Sequence, residues 1–452
     1  MEKNQIIDYL RDKNADYIKF AFADIDGILR GKVIHKDKFI AGLDAGYGFC
    51  DVVFGWDSAD VLNTNLEVTG WHSGYPDKLC FIDLSTFRTI PWQHDIPFFI
   101  ADFSKGEETG LSACPRGLLK KIRRQCTEMG FHAEFAQEFE WFNFKENAQT
   151  VVDKNFRNLQ TLSPGMLGYS ILRPSQHSDY FYDLAGQLAK FNVPLEGLHA
   201  ETGPGVYEAA IIHNEVLEAA DQALLLKSSV KEIAGNHGLL ASFMAKWNET
   251  LPGCSGHIHQ SLWDRDKQHN LFYDEQDVDK MSDLFKHYLA GQLYCMPYIM
   301  PFYAPTINSY KRLVKGAWAP TTVTWGIENR TTALRVINQN HALTRLETRI
   351  PGSDTNPYLA MAASLASGLY GIANKIPLHI PAVKGNAYAQ MNIERLPSSL
   401  HEATSIMYKS PLPAELFGVE FINHFSKTRF WECTEHSKYV SDWELRRYFE
   451  SI

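Results

Sequence analysis

The run QEFEWFNF carries Glu138 and Glu140 two residues apart. In an extended chain such a pair leaves the same face. Aromatic residues surround both, and neighbouring carboxylates in apolar surroundings repel each other and lose solvation, so they call for cations. In HAETGPGVYE (199–208), Glu201 and Glu208 flank a Gly-Pro-Gly turn able to bring both acids to one point. GCSGHIHQSL (253–262) adds His257 and His259, again two apart after a glycine-rich turn, a metal or phosphate signal. TRLETR (344–349) alternates Arg345, Glu347 and Arg349. Each run alone reads equally well as solvated surface charge. Together they supply five acids and a histidine among arginines, a mostly oxygen donor set that suits Mg²⁺ or Mn²⁺ better than structural zinc. Arginines beside divalent ions are what phosphoryl transfer from a nucleotide requires. No GxxxxGK[ST] run occurs, so the chemistry would not use a P-loop.

The segment KGAWAPTTVTWGIENRTTALRV (315–336) places Arg330 and Arg335, both suited to clamping anions, close to an indole, Trp318. Trp325, seven residues on, reads as core.

Strands must carry most of these groups. DYIKFAFADIDGILRGKVIH reads as a hairpin turning at Asp26-Gly27. CDVVFGW, KLCFIDLSTF and IPFFIADF continue a strand-rich first hundred residues. SACPRGLLKKIRRQCTEMG then reads as a helix with Pro115 in its first turn and Gly130 at its stop. Beyond it FHAEFAQEFEWFNF alternates as a strand. The stretches 213–238 and 280–296 have helical spacing, as does NPYLAMAASLASGLYGIANK, with Asn356 as its cap and Pro357 in its first turn. Strand-rich then mixed order predicts an α+β fold, divided into 1–105 and 106–452.

A chain of 452 residues, 21% charged and with net charge −9, argues against disorder and against a nucleic-acid surface. Its longest apolar stretch, YLAMAASLASGLYGI, is too short for a bilayer span. The N-terminal run is polar and unlike a signal peptide. Seven scattered cysteines without a CxxC pair fit a reducing, cytoplasmic setting.

In order and spacing, EFEWFNF, HAETGPGVYE, SGHIHQSLWD, APTINSYKRLV, NRTTALR, RLETRIPGSDTNPYLAMAASLASGLYGI and VSDWELRRYF resemble the glutamine synthetase superfamily over nearly the full chain. The resemblance implies a β-grasp-like N-terminal domain and a catalytic domain with a curved antiparallel sheet flanked by helices. It also implies ring oligomers, commonly dodecamers of two stacked hexamers, with active sites between neighbouring subunits. Matched position by position, Glu140, Glu201 and Glu208 would hold one divalent metal, and Glu138, His257 and Glu347 a second. Arg312 and Arg349 would grip glutamate, Arg330 and Arg335 the ATP phosphates and acyl phosphate, and His259 would lie beside the nucleotide. The implied reaction makes γ-glutamyl phosphate from L-glutamate and ATP, then an amide from an amine.

The chain also departs from the ammonia-using members. Their flap reads Gly-Tyr-Glu-Ala-Pro, where this one reads GAWAP, with Trp318 in place of the glutamate. An indole offers a flat apolar surface and at most a cation–π contact to ammonium. Tyr169 matches a family tyrosine at the ammonia site, and Asp57 is the best match for a cross-subunit aspartate. Val206 replaces a usual glutamine. MNIERLPSSL lacks the tyrosine that adenylylation would modify. WAP…TWG…ENRT is similar to the branch that ligates glutamate to organic amines in amine catabolism. The alternatives are an ordinary glutamine synthetase and a catalytically silent relative.

Overall fold

The computed structural model describes residues 2–13, 15–106 and 110–452. Near the N-terminus β1 (Tyr17–Ala23), β2 (Leu29–His35), β3 (Tyr47–Cys50), β4 (Asp77–Ile90) and β5 (Ile96–Asp102) form a sheet in the order β2-β1-β5-β4-β3. The hairpin expected at Asp26-Gly27 is present. The Asp24 carboxylate accepts from the backbone N–H of Asp26 (3.0 Å) and of Ile28 (2.9 Å). Gly27 takes the left-handed conformation the turn demands, at φ +77°.

The first hundred residues hold more than strands. Lys3–Asp12 and Lys36–Gly42 are helices. In the first of these, Ile6 and Leu10 are buried four residues apart, a helical period in an otherwise polar run. CDVVFGW, read as a strand, instead turns through a 3-10 helix at Asp51–Phe54. The buried Asp51 carboxylate accepts from the Thr69 hydroxyl at 2.7 Å, and the Gly55 N–H donates to Val52 O.

The second sheet has β6 (His132–Phe144) at its centre, with β7 (Leu195–Ala200), β8 (Val206–Ile211), β9 (Asn214–Glu215), β10 (Leu240–Ser242), β11 (Ile258–Trp263), β12 (Trp325–Ile327), β13 (Leu334–Ile337) and β14 (Arg345–Thr348). The main order is β12-β13-β14-β11-β6-β8-β7, and β9 and β10 also pair with β6. Pairing is antiparallel as expected except between β12 and β13, which run parallel. Phe139 and Trp141 of β6 are buried in the core, so the alternation sends Glu138 and Glu140 to the opposite face. Helices Val216–Asn236, Asp283–Tyr303 and Pro357–Ala373 contribute to the same core. Gly291 and Gly371 meet backbone to backbone, where any Cβ would collide.

The division proposed at residue 105 falls between β5 and the helix Pro115–Glu128, although the first sheet's core also takes in Ala113 and Cys114. Asn356 joins the two parts. Its Oδ1 caps Pro357–Ala373 by accepting from the Tyr358 N–H, while its Nδ2 donates to Asp24 O and Ile25 O. Asn356→Ala is expected to cost about 1–3 kcal/mol through the lost cap and the unpaired carbonyls. A fall in the urea midpoint at unchanged slope would show it.

Candidate active site

Strand register builds the site in two rows. Arg335 of β13 lies opposite Glu347 of β14, which lies opposite His259 of β11. In the other half of the sheet Glu140 of β6 lies opposite Glu208 of β8, which lies opposite His199 of β7. Directly opposed residues share a face, so both rows project together. Glu138 bridges into the first row. His257 Nδ1 lies 2.8 Å from its Oε1 and 3.4 Å from Glu347 Oε1, and His259 Nε2 lies 3.4 Å from its Oε2. Glu201 follows β7, with its carboxylate 3.4 Å from His199 Nε2, which lies 3.8 Å from Glu208.

Two sets of donor atoms are close enough to share an ion, Glu138–His259–Glu347 and His199–Glu201–Glu208. They differ from the sets drawn by resemblance in one member each. His259 stands with Glu138 and Glu347, while His257 touches the same two acids, and His199 stands in the trio where Glu140 was expected. Glu140 instead accepts from the Ser255 N–H at 2.6 Å. His199 was passed over in the sequence. The signal was there, because it precedes Glu201 by two residues in HAE, the same alternation that singled out the other acids.

The electrostatics are those of a cation site. Burial, then the charges of Glu138, Glu140, Glu201 and Glu347, push Glu208 up to about 10. Burial also raises Glu140. Glu138 falls well below the carboxylate range because the imidazoles of His259 and His257 outweigh its burial. Burial and then Arg349 push His257 down to about 4, and its Nε2 is buried without a hydrogen-bond partner. The His257 imidazole, held neutral by its burial beside crowded carboxylates, fits a divalent cation.

Glu208 therefore gives a pH-dependent expectation. Its folded value lies above the ordinary 4.5, so its contribution to stability is full below 4.5 and is lost as pH rises towards 10. Without metal, melting temperature should fall across that window, and Mg²⁺ or Mn²⁺ should restore it at neutral pH. Glu208→Gln should raise the metal-free stability at neutral pH and lose most of the metal-induced rise, read by thermal unfolding with and without the ion.

Arginines rim the same face. Arg335 donates from Nη1 to Glu347 Oε2 (2.9 Å) and from Nε and Nη2 to Glu328 Oε2, the first at 3.1 Å. Arg349 pairs with Glu347 Oε1. Arg312 is buried and donates to Ile350 O (2.8 Å) and Arg349 O (3.2 Å). Arg330 is exposed and makes no hydrogen bond or ion pair among the described residues. Tyr169 stacks on His199 with centroids 4.8 Å apart and planes 8° from parallel. Trp318 is 66% exposed in its loop, at φ +56°, a conformation a bulky residue rarely adopts. Trp325 is core as read, its indole donating to Ile380 O at 2.7 Å. Asp57 stands apart from all of these. It accepts from the Ala59 and Val61 N–H groups and from the Trp431 indole (3.2 Å).

A curved sheet bearing two carboxylate–imidazole clusters and an arginine rim defines a carbon–nitrogen ligase of the glutamine synthetase type. Residues 112–448 match the family model "Glutamine synthetase, catalytic domain", and the chain belongs to that family. It is 51% identical to type-1 glutamine synthetase 2 of Dictyostelium discoideum, over 99% of this chain and 86% of that one. It is 37% identical to a glutamate–isopropylamine ligase of Pseudomonas sp., over 100% of this chain and 99% of that one. In fold it is similar to a solved GmaS/ADP complex, with TM-score 0.85 and 24% identity over 98% of this chain and 99% of that chain. The family uses ATP and divalent metals. No helix among the described residues is long and apolar enough to cross a membrane.

Proposed function

We propose that this ligase joins the γ-carboxylate of L-glutamate to a small organic amine, giving a γ-glutamyl amide in amine catabolism. Trp318 carries the reading. It stands in the flap where ammonia-using relatives place a glutamate, and it is exposed rather than packed into the loop. A large indole held in a left-handed backbone is a strained feature of the kind that persists at working sites. The relative named for isopropylamine supports the same direction.

In the proposed sequence a glutamate γ-oxygen attacks the ATP γ-phosphorus, and the bond to the β-phosphate oxygen breaks as ADP leaves. The amine nitrogen then attacks the acyl carbon, phosphate departs and the amine loses a proton. Mg²⁺ or Mn²⁺, held by Glu138, Glu347 and His257 or His259, and by Glu201 and Glu208 with Glu140 or His199, would offset the negative charge of the phosphates. Arg330, exposed and unpaired among the described residues, is free to meet a phosphate oxygen, and Arg335 presents a fixed planar fork. Buried Arg312 and Arg349 would take the glutamate carboxylate. His259 would adjoin the nucleotide, and Tyr169, stacked on His199, would wall the amine side. Asp57, away from this face in its own chain, would act on a neighbouring subunit's site within a dodecamer.

The test is phosphate release with glutamate, ATP and Mg²⁺ against ammonium, methylamine, isopropylamine, ethanolamine, putrescine, spermidine and aniline. An alkyl or aromatic amine is expected to give the highest kcat/KM. A strong preference for ammonium would instead establish the second reading, glutamine synthesis, which the 51% identical relative favours. A silent relative is disfavoured by the complete donor and arginine set.

A further inference from the structure

A cavity of about 740 Å³ lies elsewhere, between the N-terminal sheet and the helix Val216–Asn236. Phe20, Leu29, Ile90, Phe98 and Phe191 give it apolar walls. Lys227 and Lys231, one turn apart on the helix, line one end, and the Phe243 ring lies between them, 5.9 Å from one ammonium and 5.8 Å from the other. Lys227 is 9% exposed and donates to a single neutral acceptor, Thr355 O, at 2.8 Å.

Among the described residues neither lysine has a carboxylate within ion-pair distance. Of the acids lining the cavity, Asp26, Glu232 and one oxygen of Asp354 have partners elsewhere. Asp26 pairs with Arg429 at 2.5 Å, and Glu232 accepts from the Trp92 indole (2.7 Å) and Gln93 (2.6 Å). Asp354 accepts from Thr306 (2.8 Å) and Ser309 (2.6 Å) through Oδ2 while its Oδ1 is buried without a hydrogen-bond partner among the described residues, and Glu432 lies in the field of Arg429. Two like charges at i and i+4 repel, and burying an ammonium without a counter-charge is costly. Burial and then Lys231 push Lys227 down to about 7, and the charge of Asp354 offsets only part of that shift.

We infer that this cavity is a binding site for a small organic carboxylate with an apolar body, its carboxylate set between Lys227 and Lys231 and its body against the apolar walls. The volume is that of small-molecule sites in general. Phosphate offers the charge without the body and should bind more weakly. The site is distinct from the catalytic face. The Phe139 ring, 5.5 Å from the Lys227 ammonium, belongs to the strand residue between Glu138 and Glu140, whose carboxylates leave the other side.

Reductive methylation of the full-length protein, followed by peptide mapping of residues 227 and 231, reads occupancy at this place and no other. Benzoate and glutarate are the carboxylate probes and inorganic phosphate the control. Benzoate is expected to slow labelling of both lysines at least fivefold, with phosphate needing at least tenfold higher concentration. Lys231→Met, at the exposed end of the pair, should raise the benzoate concentration for half-protection of Lys227 at least tenfold. Lys227→Met, should it fold, should abolish protection of Lys231. Protection by phosphate equal to that by benzoate, unchanged protection in Lys231→Met, or no protection by either carboxylate would each overturn the proposal. None of these readouts depends on which amine the ligase uses.

Discussion

Replacing Trp318 by glutamate is expected to raise kcat/KM for ammonium and lower it for the preferred amine, moving their ratio by about 10–100-fold. Each half has its own cause. A carboxylate at the flap would pair with ammonium and desolvate with it, an interaction a neutral indole offers only weakly. The same change removes a flat apolar surface, and a few buried carbons distinguish substrates by about 1–3 kcal/mol. The φ of +56° at this position strains glutamate no less than tryptophan, so fold stability should hardly move. Steady-state kinetics across the amine panel, with the rate of ADP release at saturating amine, separate selection from damage to phosphoryl transfer. An unchanged amine profile would mean that another residue selects the nucleophile.

Arg335→Lys should lower kcat by about 10²–10³-fold while KM for the amine changes little. The guanidinium meets two carboxylates at once, Glu328 through Nε and Nη2 and Glu347 through Nη1. An ammonium has no fork with which to span both, and donors aimed at developing charge are worth about 2.7–4 kcal/mol each. Glu328 itself sits at φ +49° and is fixed by its N–H bond to Val336 O at 2.9 Å. The turn behind it is built by Asn329, whose Nδ2 donates to Val383 O and Gly385 O. That investment of backbone and side chains holds Arg335 in place before any substrate arrives. Pre-steady-state ADP formation should carry the loss; a normal burst with slow turnover would place the defect in release instead.

Much of this site was legible in the sequence because strand alternation is local. Glu138 and Glu140 could be put on one face without knowing what lay opposite, and Asn356 announced its helix by residue type alone. Which strands neighbour one another is not local. Nothing in the linear order says that Arg335 and Glu347 lie side by side, or that His199 faces Glu208, because register across β7, β8 and β6 sets those pairs. The parallel β12–β13 pair was hidden for the same reason. The helix Lys3–Asp12 escaped because two buried residues in ten make a faint period. At Asp51–Phe54 an apolar run with high strand propensity turns instead, and the tertiary contact that ties it down, Asp51 to Thr69, lies 18 residues away in the sequence.

The loop bearing Trp318 touches the rest of the chain lightly, with the Tyr388 hydroxyl donating to Ala319 O at 3.1 Å. Arg335, Glu138, Glu140, Glu208 and Glu347 sit instead on paired strands. A lineage could therefore exchange one nitrogen source for another by rewriting a few solvent-facing letters, at about ±0.5 kcal/mol of stability each. The costly half of the reaction, activation of the acid, would be inherited untouched. Such a division makes the scaffold an evolvable amide maker, open to new nucleophiles as an organism's diet changes.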